Sequence, residues 1–301
     1  MNQLPENDLP PGRHRLLKEH LMTEIRREDE APARTGGRWL RPAIAAAAVA
    51  VVAATAIVAP PGGESSPAAS KEAVALLENV ALAAEHEKVP DGIRDDQFVY
   101  IKSKVSYMTY EEGKAPTRAP VHKREIWLSV DGTLPGLLDE DRDHDSHVVL
   151  EPSTPGNPSN TNYRNLQTLP TDPGKMLDWL HKQSDGGKSE DQNTFVLVGD
   201  LSYESLLPPE VGAALYRAAA EIPGVTVVQD AVDADGRHGI AVAREDDGVR
   251  QELIFDPKTY EFLGERQVAV QDTDYGLKKG QVVGVSAILD RTVVDKAGQR
   301  P

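Results

Sequence analysis

The feature that most constrains this chain is residues 43–59, AIAAAAVAVVAATAIVA, seventeen residues without a charge and with Thr55 as the only polar side chain. As a helix rising 1.5 Å per residue the run spans about 25 Å, and the flanking Pro42 and Pro60 bring it near the ~30 Å of bilayer hydrocarbon. Ten of the seventeen are alanine, so the flanks must supply part of the insertion signal. Arg34, Arg38 and Arg41 precede the run, with Trp39 at the depth of an interfacial indole, and no Lys or Arg follows before Lys71. This asymmetry predicts a single-pass anchor over 42–61, with the N-terminus in the cytoplasm and the C-terminus outside. A cleavable leader fits poorly. Forty-two residues precede the run, and Arg26-Arg27 leads into Glu28-Asp29-Glu30 rather than an apolar stretch.

Charge divides unevenly about this anchor. The 301-residue chain has a formal charge of −15. Residues 1–41 hold eight basic and seven acidic side chains, and the other 25 basic and 41 acidic ones follow. So acidic an outer part argues against nucleic-acid binding, which needs a basic face to displace counterions. The chain has no cysteine, which removes disulfides, thiolate metal sites, iron–sulfur clusters and a cysteine nucleophile.

Within the tail, residues 13–27 read RHRLLKEHLMTEIRR, and Leu17, Leu21 and Ile25 fall at i, i+4 and i+8 on one helical face. A fifteen-residue helix is marginal alone in water. Tethered to a membrane, it is suited to docking on a partner protein through those three residues. Residues 62–70 read as a Pro/Gly/Ser linker.

The outer part, 71–301, is predicted to be an α+β domain. A helix is expected over 71–88, strands over 97–110 and 122–130, and a low-hydrophobicity insertion over 139–166. A helix follows over 173–183. Residues 191–207 fit either a strand or a helix, and 210–221 form a further helix. The last third reads as a meander over 225–232, 239–244, 249–255, 260–270 and 281–294, cut by turns such as Asp246-Asp247-Gly248 and Asp256-Pro257-Lys258-Thr259. Strands joined by short loops form antiparallel sheet, here a curved, half-barrel-like one with helices packed on one face.

Chemistry-bearing motifs are sparse. Asp139-Glu140-Asp141-Arg142-Asp143-His144-Asp145-Ser146-His147 has the alternating carboxylates of a calcium loop. It has Ser146 where the sixth position needs glycine and Pro152 where the twelfth needs Glu. His144 and His147 could serve zinc only on a scaffold that the loop lacks, so this charge run reads as solvated surface. His238 reads as a surface turn residue. No nucleophile elbow, zincin helix or phosphate loop is present. Neither a cofactor nor an enzyme activity is predicted.

Several phrases occur together in order: Asp172-Pro173 before a Leu-bearing helix, Ala213-Ala214-Leu215-Tyr216-Arg217-Ala218 running into Ile222-Pro223-Gly224-Val225, Asp235-Gly236-Arg237, Phe255-Asp256-Pro257-Lys258-Thr259, Leu263-Gly264-Glu265 and Val293-Val294-Asp295. With them the chain resembles a largely uncharacterised family of single-pass membrane proteins from high-GC Gram-positive bacteria, often encoded beside extracytoplasmic-function sigma factors. The resemblance covers nearly the whole length. It implies that 195–207 is mainly helical and that the outer domain is similar to the half-barrel of lipoprotein carriers and of periplasmic regulators of envelope-stress sigma factors. The chain departs from the family at Tyr260-Glu261, where a Thr-Gly turn is usual, so a looser hairpin is expected there. It also lacks the His-x-x-x-Cys-x-x-Cys site of zinc-type anti-sigma factors.

Two functions fit this organisation. In the first, a membrane-anchored signalling protein holds a cytoplasmic sigma factor with a zinc-free helix through Leu17, Leu21 and Ile25, while the outer domain senses an envelope partner or an apolar ligand. In the second, an anchored carrier or chaperone handles lipids or envelope proteins and its tail is inert.

Overall fold

The computed structural model describes residues 66–109, 116–141, 147–153, 160–184, 189–273 and 276–301. The run at 43–59, the helix expected over 13–27 and its Leu17, Leu21 and Ile25 lie outside the described residues. Among the described residues no helix is long and apolar enough to cross a membrane.

Side-chain caps set the helix starts. Helix α1 (Lys71–Glu85) begins where Ser70 Oγ accepts the Ala73 amide at 3.1 Å. Helix α2 is the single turn Tyr163–Leu166. In α3 (Pro173–Gln183), Asp172 accepts the Lys175 amide at 2.9 Å, and Pro173 takes the first position, where a missing N–H is harmless. Ser189 caps α4 (Glu190–Tyr203), and Pro209 opens α5 (Pro209–Ala219). The stretch that fits strand or helix by pattern is therefore helical. Its ambiguity has a physical cause: Phe195, Leu197, Val198 and Leu201 are all buried, so the inner side of α4 is wide rather than a narrow stripe. Gly199 lets it approach the sheet closely, since a Cβ there would lie 2.9 Å from Leu253 Cδ2.

The strands are β1 (Phe98–Thr109), β2 (Thr117–Arg118), β3 (His122–Ser129), β4 (Gly136–Glu140), β5 (His147–Leu150), β6 (Thr226–Val232), β7 (His238–Asp246), β8 (Val249–Phe255), β9 (Phe262–Ala269) and β10 (Val282–Val294). They form one antiparallel sheet in the order β5-β4-β3-β1-β10-β9-β8-β7-β6, with β2 beside β1. Alternation sends Val242, Leu253 and Phe255 to one face, against Leu77, Phe195, Leu201 and Leu215 of the helices. Further along the same face, Val99, Ile101 and Ile126 pack with Leu206 and Tyr163.

Strand β4 ends within the insertion at 139–166, and β5 and α2 lie inside it. Both strands are short, and in β4 Asp139 and Glu140 hide the strand character from a hydropathy reading. The hairpin at Tyr260 is closed rather than loose. Asp256 Oδ1 accepts the Lys258 and Thr259 amides at 2.8 and 2.9 Å, and the Tyr260 amide donates to Asp256 O at 2.9 Å. Tyr260 itself takes the left-handed φ of +60° that a glycine would otherwise supply, with its ring against the helix-side core.

Curvature shows in a backbone contact. In a flat sheet β7 and β10 would stand three spacings, roughly 14 Å, apart. Yet Ala234 N, in the β6–β7 turn, donates to Ser286 O of β10 at 3.2 Å. The hairpin thus curls across the face opposite the helices, covering Ala241, Ile254 and Leu263. The β9–β10 ladder runs only from Val268/Val282 to Arg266/Val285. Beyond it, Arg237 Nη2 from the turn donates to Leu263 O and Ile288 O at 3.1 and 2.8 Å. Asp233 aims that guanidinium: its Oδ2 accepts Arg237 Nε at 2.7 Å, and its Oδ1 accepts the Asp235 and Arg237 amides at 2.9 Å. Asp233→Ala should therefore destabilise the domain by about 2–3 kcal/mol, a fall of several degrees in Tm, while Asp233→Asn retains part of the effect. Thermal unfolding of the two variants checks this, and equal stability of Asp233→Ala and the parent would refute it.

Candidate functional site

Strand β3 carries the sequence HKREIWLS, and its alternation places His122 and Arg124 on the same helix-bearing face as Ile126. Arg124 is 9% exposed. Its Nε donates to Glu204 Oε1 at 2.6 Å, and its Nη1 donates to Glu140 Oε2 at 2.7 Å. Glu204 is the residue that ends α4, and Glu140 closes β4. His122 completes the group, with Nε2 2.7 Å from Glu140 Oε1 and Nδ1 2.9 Å from Pro120 O. Tyr203 lies alongside and donates its hydroxyl to Ser103 Oγ at 3.4 Å.

Burial opposes the Arg124 charge, but Glu204 and then Glu140 outweigh it and strengthen the guanidinium's hold on its proton. At Glu140 burial likewise pushes the carboxyl up, and Arg124 and His122 together bring it below its ordinary value. The Tyr203 hydroxyl is pushed up by burial and by the neighbouring Glu204 charge. The cluster holds rather than reacts: both carboxylates are engaged by Arg124, which locks the end of α4 to β3 and β4.

A second arginine sits at the other end of α4. Arg244, 3% exposed on β7, donates from Nε to Pro223 O at 2.9 Å and from Nη1 to Gln192 Oε1 at 2.9 Å. Its Nη2 donates to Ser66 Oγ at 3.2 Å and lies 3.5 Å from Asp191 Oδ2. The segment from Ser66 is laid onto the domain by Gly224 N to Pro67 O, 2.6 Å, and Ser70 N to Val225 O, 2.8 Å. The compact unit accordingly starts at Ser66, five residues before the expected Lys71.

Of the acidic run at 139–147, residues 142–146 lie outside the described residues. Asp139 meets His147 Nδ1 at 3.3 Å and Arg300 Nη2 at 3.1 Å, while Glu140 belongs to the Arg124 cluster. Among the described residues no three His, Asp or Glu side chains are grouped so as to hold a metal. His238 is an exposed residue at a turn, paired with Asp230 at 2.7 Å. Hollows border the domain among the described residues. One of about 10 Å³, room for a water, lies among Tyr107, Glu265, Gln267 and Ser286. Another, about 340 Å³, is an open groove between 89–93 and the side chains of Tyr163, Arg164 and Gln167. The space between helices and sheet is filled by Phe195, Leu201, Leu253 and Phe255, all fully buried.

No protein-family model matches the chain, and no curated protein does. Among solved structures it is similar to MucB, at 16% identity and a TM-score of 0.29, over 77% of this chain and 61% of that one. The chain therefore spans about three-fifths of that structure's length. It is also similar to the Pseudomonas aeruginosa MucA/MucB complex structure, at 12% identity and a TM-score of 0.24 over 74% of this chain and 57% of that one. A LolA-superfamily protein from Nitrosomonas europaea matches at 8% identity and a TM-score of 0.21, over 74% and 95%. None of these names transfers to this chain.

Arg124→Ala would leave Glu204 and Glu140 buried without their cation, and a loss of about 3–5 kcal/mol is expected in chemical denaturation. The acid limb gives a second check. Glu140 has a folded value below its unfolded 4.5, so its contribution is complete above that pH and fades as pH falls through the lowered folded value. Glu140→Gln should flatten the fall in Tm below about pH 4.5; an unchanged acid limb would disprove the assignment.

Proposed function

We propose that this chain is a single-pass membrane signalling protein whose outer domain receives an envelope signal and whose cytoplasmic helix acts on a sigma factor. The anchor is 42–61, with the N-terminus inside and the α+β domain outside. The tail helix 13–27 contacts the sigma factor through Leu17, Leu21 and Ile25. A chain without cysteine does this without a zinc site, as a zinc-free anti-sigma factor. The family resemblance, with its neighbouring sigma factors, favours that class of partner.

The observation that carries this reading is the attachment of residues 66–70 to the domain through Arg244, Pro223, Gly224 and Val225. Only residues 60–65 separate the apolar run from Ser66, at most about 20 Å of extended chain. A rearrangement at the start of α4, where Asp191 and Gln192 share Arg244 with Ser66, would thus act on the segment that leads to the anchor. A carrier with an inert tail has no need of such an attachment. It needs instead an apolar hollow of some 300–1,000 Å³. Among the described residues, the filled layer between helices and sheet supports the regulator reading.

The test is purification of the whole chain from its native host. One sigma factor should co-purify with the parent and be lost from the Leu17→Glu/Leu21→Glu variant. Co-purification that survives the double substitution, or no sigma factor at all, would refute the docking helix. Recovery of lipid with the chain would then favour the carrier.

A further inference from the structure

Outward-facing positions of a sheet are ordinarily polar. Here, on the face away from the helices, Tyr100 of β1 and Trp127 of β3 stand side by side, ring centroids 5.2 Å apart, and are 2% and 1% exposed. Phe98, Val294 and Leu137 complete the patch. What covers it is the end of the chain. Gln299 O accepts the Trp127 indole N–H at 2.6 Å, and Gly298, at φ +82°, passes close to Leu137. Arg300 lies over the Trp127 ring with Cζ 5.7 Å from its centroid. The same guanidinium bonds Glu125 from Nη2 at 2.6 Å and Nε at 2.9 Å, and Asp139 at 3.1 Å. Tyr100 donates its hydroxyl to Glu125, fixing that carboxylate from the other side.

An aromatic face, a carboxylate presented edge-on and a second carboxylate beside it are together a receptor for a planar guanidinium. The Arg300 side chain is 56% exposed, so its place beside Glu125 is open to solvent and to another guanidinium. We propose that this face of β1, β3 and β4 is a binding site for an arginine-bearing segment of another protein, and that residues 296–301 occupy it in cis until that segment displaces them. The tether gives the chain's own arginine a high local concentration, so a partner must exceed it in affinity or number. Arginine is specified over lysine because only the guanidinium makes two bonds to Glu125, from Nε and Nη2, while its Cζ stays 5.7 Å from the Trp127 ring centroid.

The probe is the hexapeptide Lys-Ala-Gly-Gln-Arg-Pro, titrated calorimetrically into the intact chain, the chain lacking 296–301 and the Arg300→Glu chain. Glutamate at 300 faces Glu125 and Asp139 and should open the strap without shortening the chain. Both altered chains should bind the peptide about tenfold more tightly than the intact one. A lysine in place of the peptide's arginine should weaken binding about fivefold, as should Glu125→Gln in the truncated chain. Equal binding by all three chains would overturn the proposal. Loss of the native thermal transition in both altered chains would overturn it too, because the strap would then belong to the core.

Discussion

The pairing of β1 with β10 is the contact on which the rest of the domain depends. It joins the first long strand to the last, from Phe98 opposite Val294 to Tyr107 opposite Gly284, and places β3 on the far side of β1. Every other strand is within reach of its sequence neighbour through a short loop or a modest insertion, but this pair closes a loop of nearly the whole domain. Loop closure on that scale is an entropic cost incurred before any contact offsets it. The offset comes from both faces of β1 at once. Val99, Ile101 and Val105 are buried on the helix side, and Phe98 and Tyr100 on the other. One bulge, between Lys102 and Ser103, adjusts the ladder between these two stretches.

Two buried arginines, Arg124 and Arg244, and the half-buried Arg291 then fix what the apolar contacts leave open. Helix α4 buries a broad side, and such a side sets the helix's rotation only loosely. Its ends supply that information. Arg244 grips Gln192 near the N-terminus, and Arg124 grips Glu204 just past the C-terminus. Arg291 donates to the carbonyls of Ser202 and Tyr203 at 2.5 and 3.2 Å, groups that the last turn of a helix leaves without intrahelical partners. Burial lowers the Arg291 guanidinium's affinity for its proton, with Glu87 among the groups that partly restore it. Burying charges in this way contributes little net stability, and its best-attested use is to specify one arrangement among several apolar alternatives.

The elements were legible because their signals are local. The helix over 173–183 has Asp172 and Pro173 at its start and Met176 and Leu180 on its inner side, and its bounds follow from those residues alone. The strands of the last third are set by Asp-Gly and Asp-Pro turns that close where their chemistry says they should. The candidate sites were less legible. Arg124 and Arg244 both stand in the inward register of their strands, in line with Ile126 and Val242. A charge at an inward position was the available signal, but its partners lie 80 residues away at Glu204 and 178 at Ser66, and no local pattern encodes them. The strap over Trp127 left no periodic trace, since 295–301 is polar and irregular, and only the unusual outward Tyr100 and Trp127 hint that something must cover them.

The two arginine sites on opposite faces of the sheet share the same two strands. Arg124 and Glu140 are register partners on the helix side, and their chain neighbours Glu125 and Asp139 are partners on the other. The first pair holds the end of α4, and the second holds Arg300. One residue step through the pleat therefore separates the strap from the latch. Any displacement of β3 against β4 that accommodates a new arginine at Glu125 and Asp139 must also move Arg124 against Glu140, because a strand cannot shift one face alone. From there the route to the segment 66–70 is α4 itself. Its fourteen residues, about 21 Å of helix, end beside the arginine that holds Ser66. In the function proposed above, the Glu125/Asp139 face and the segment 66–70 would be joined through one element clamped at both ends, the arrangement that reading needs for passing a signal.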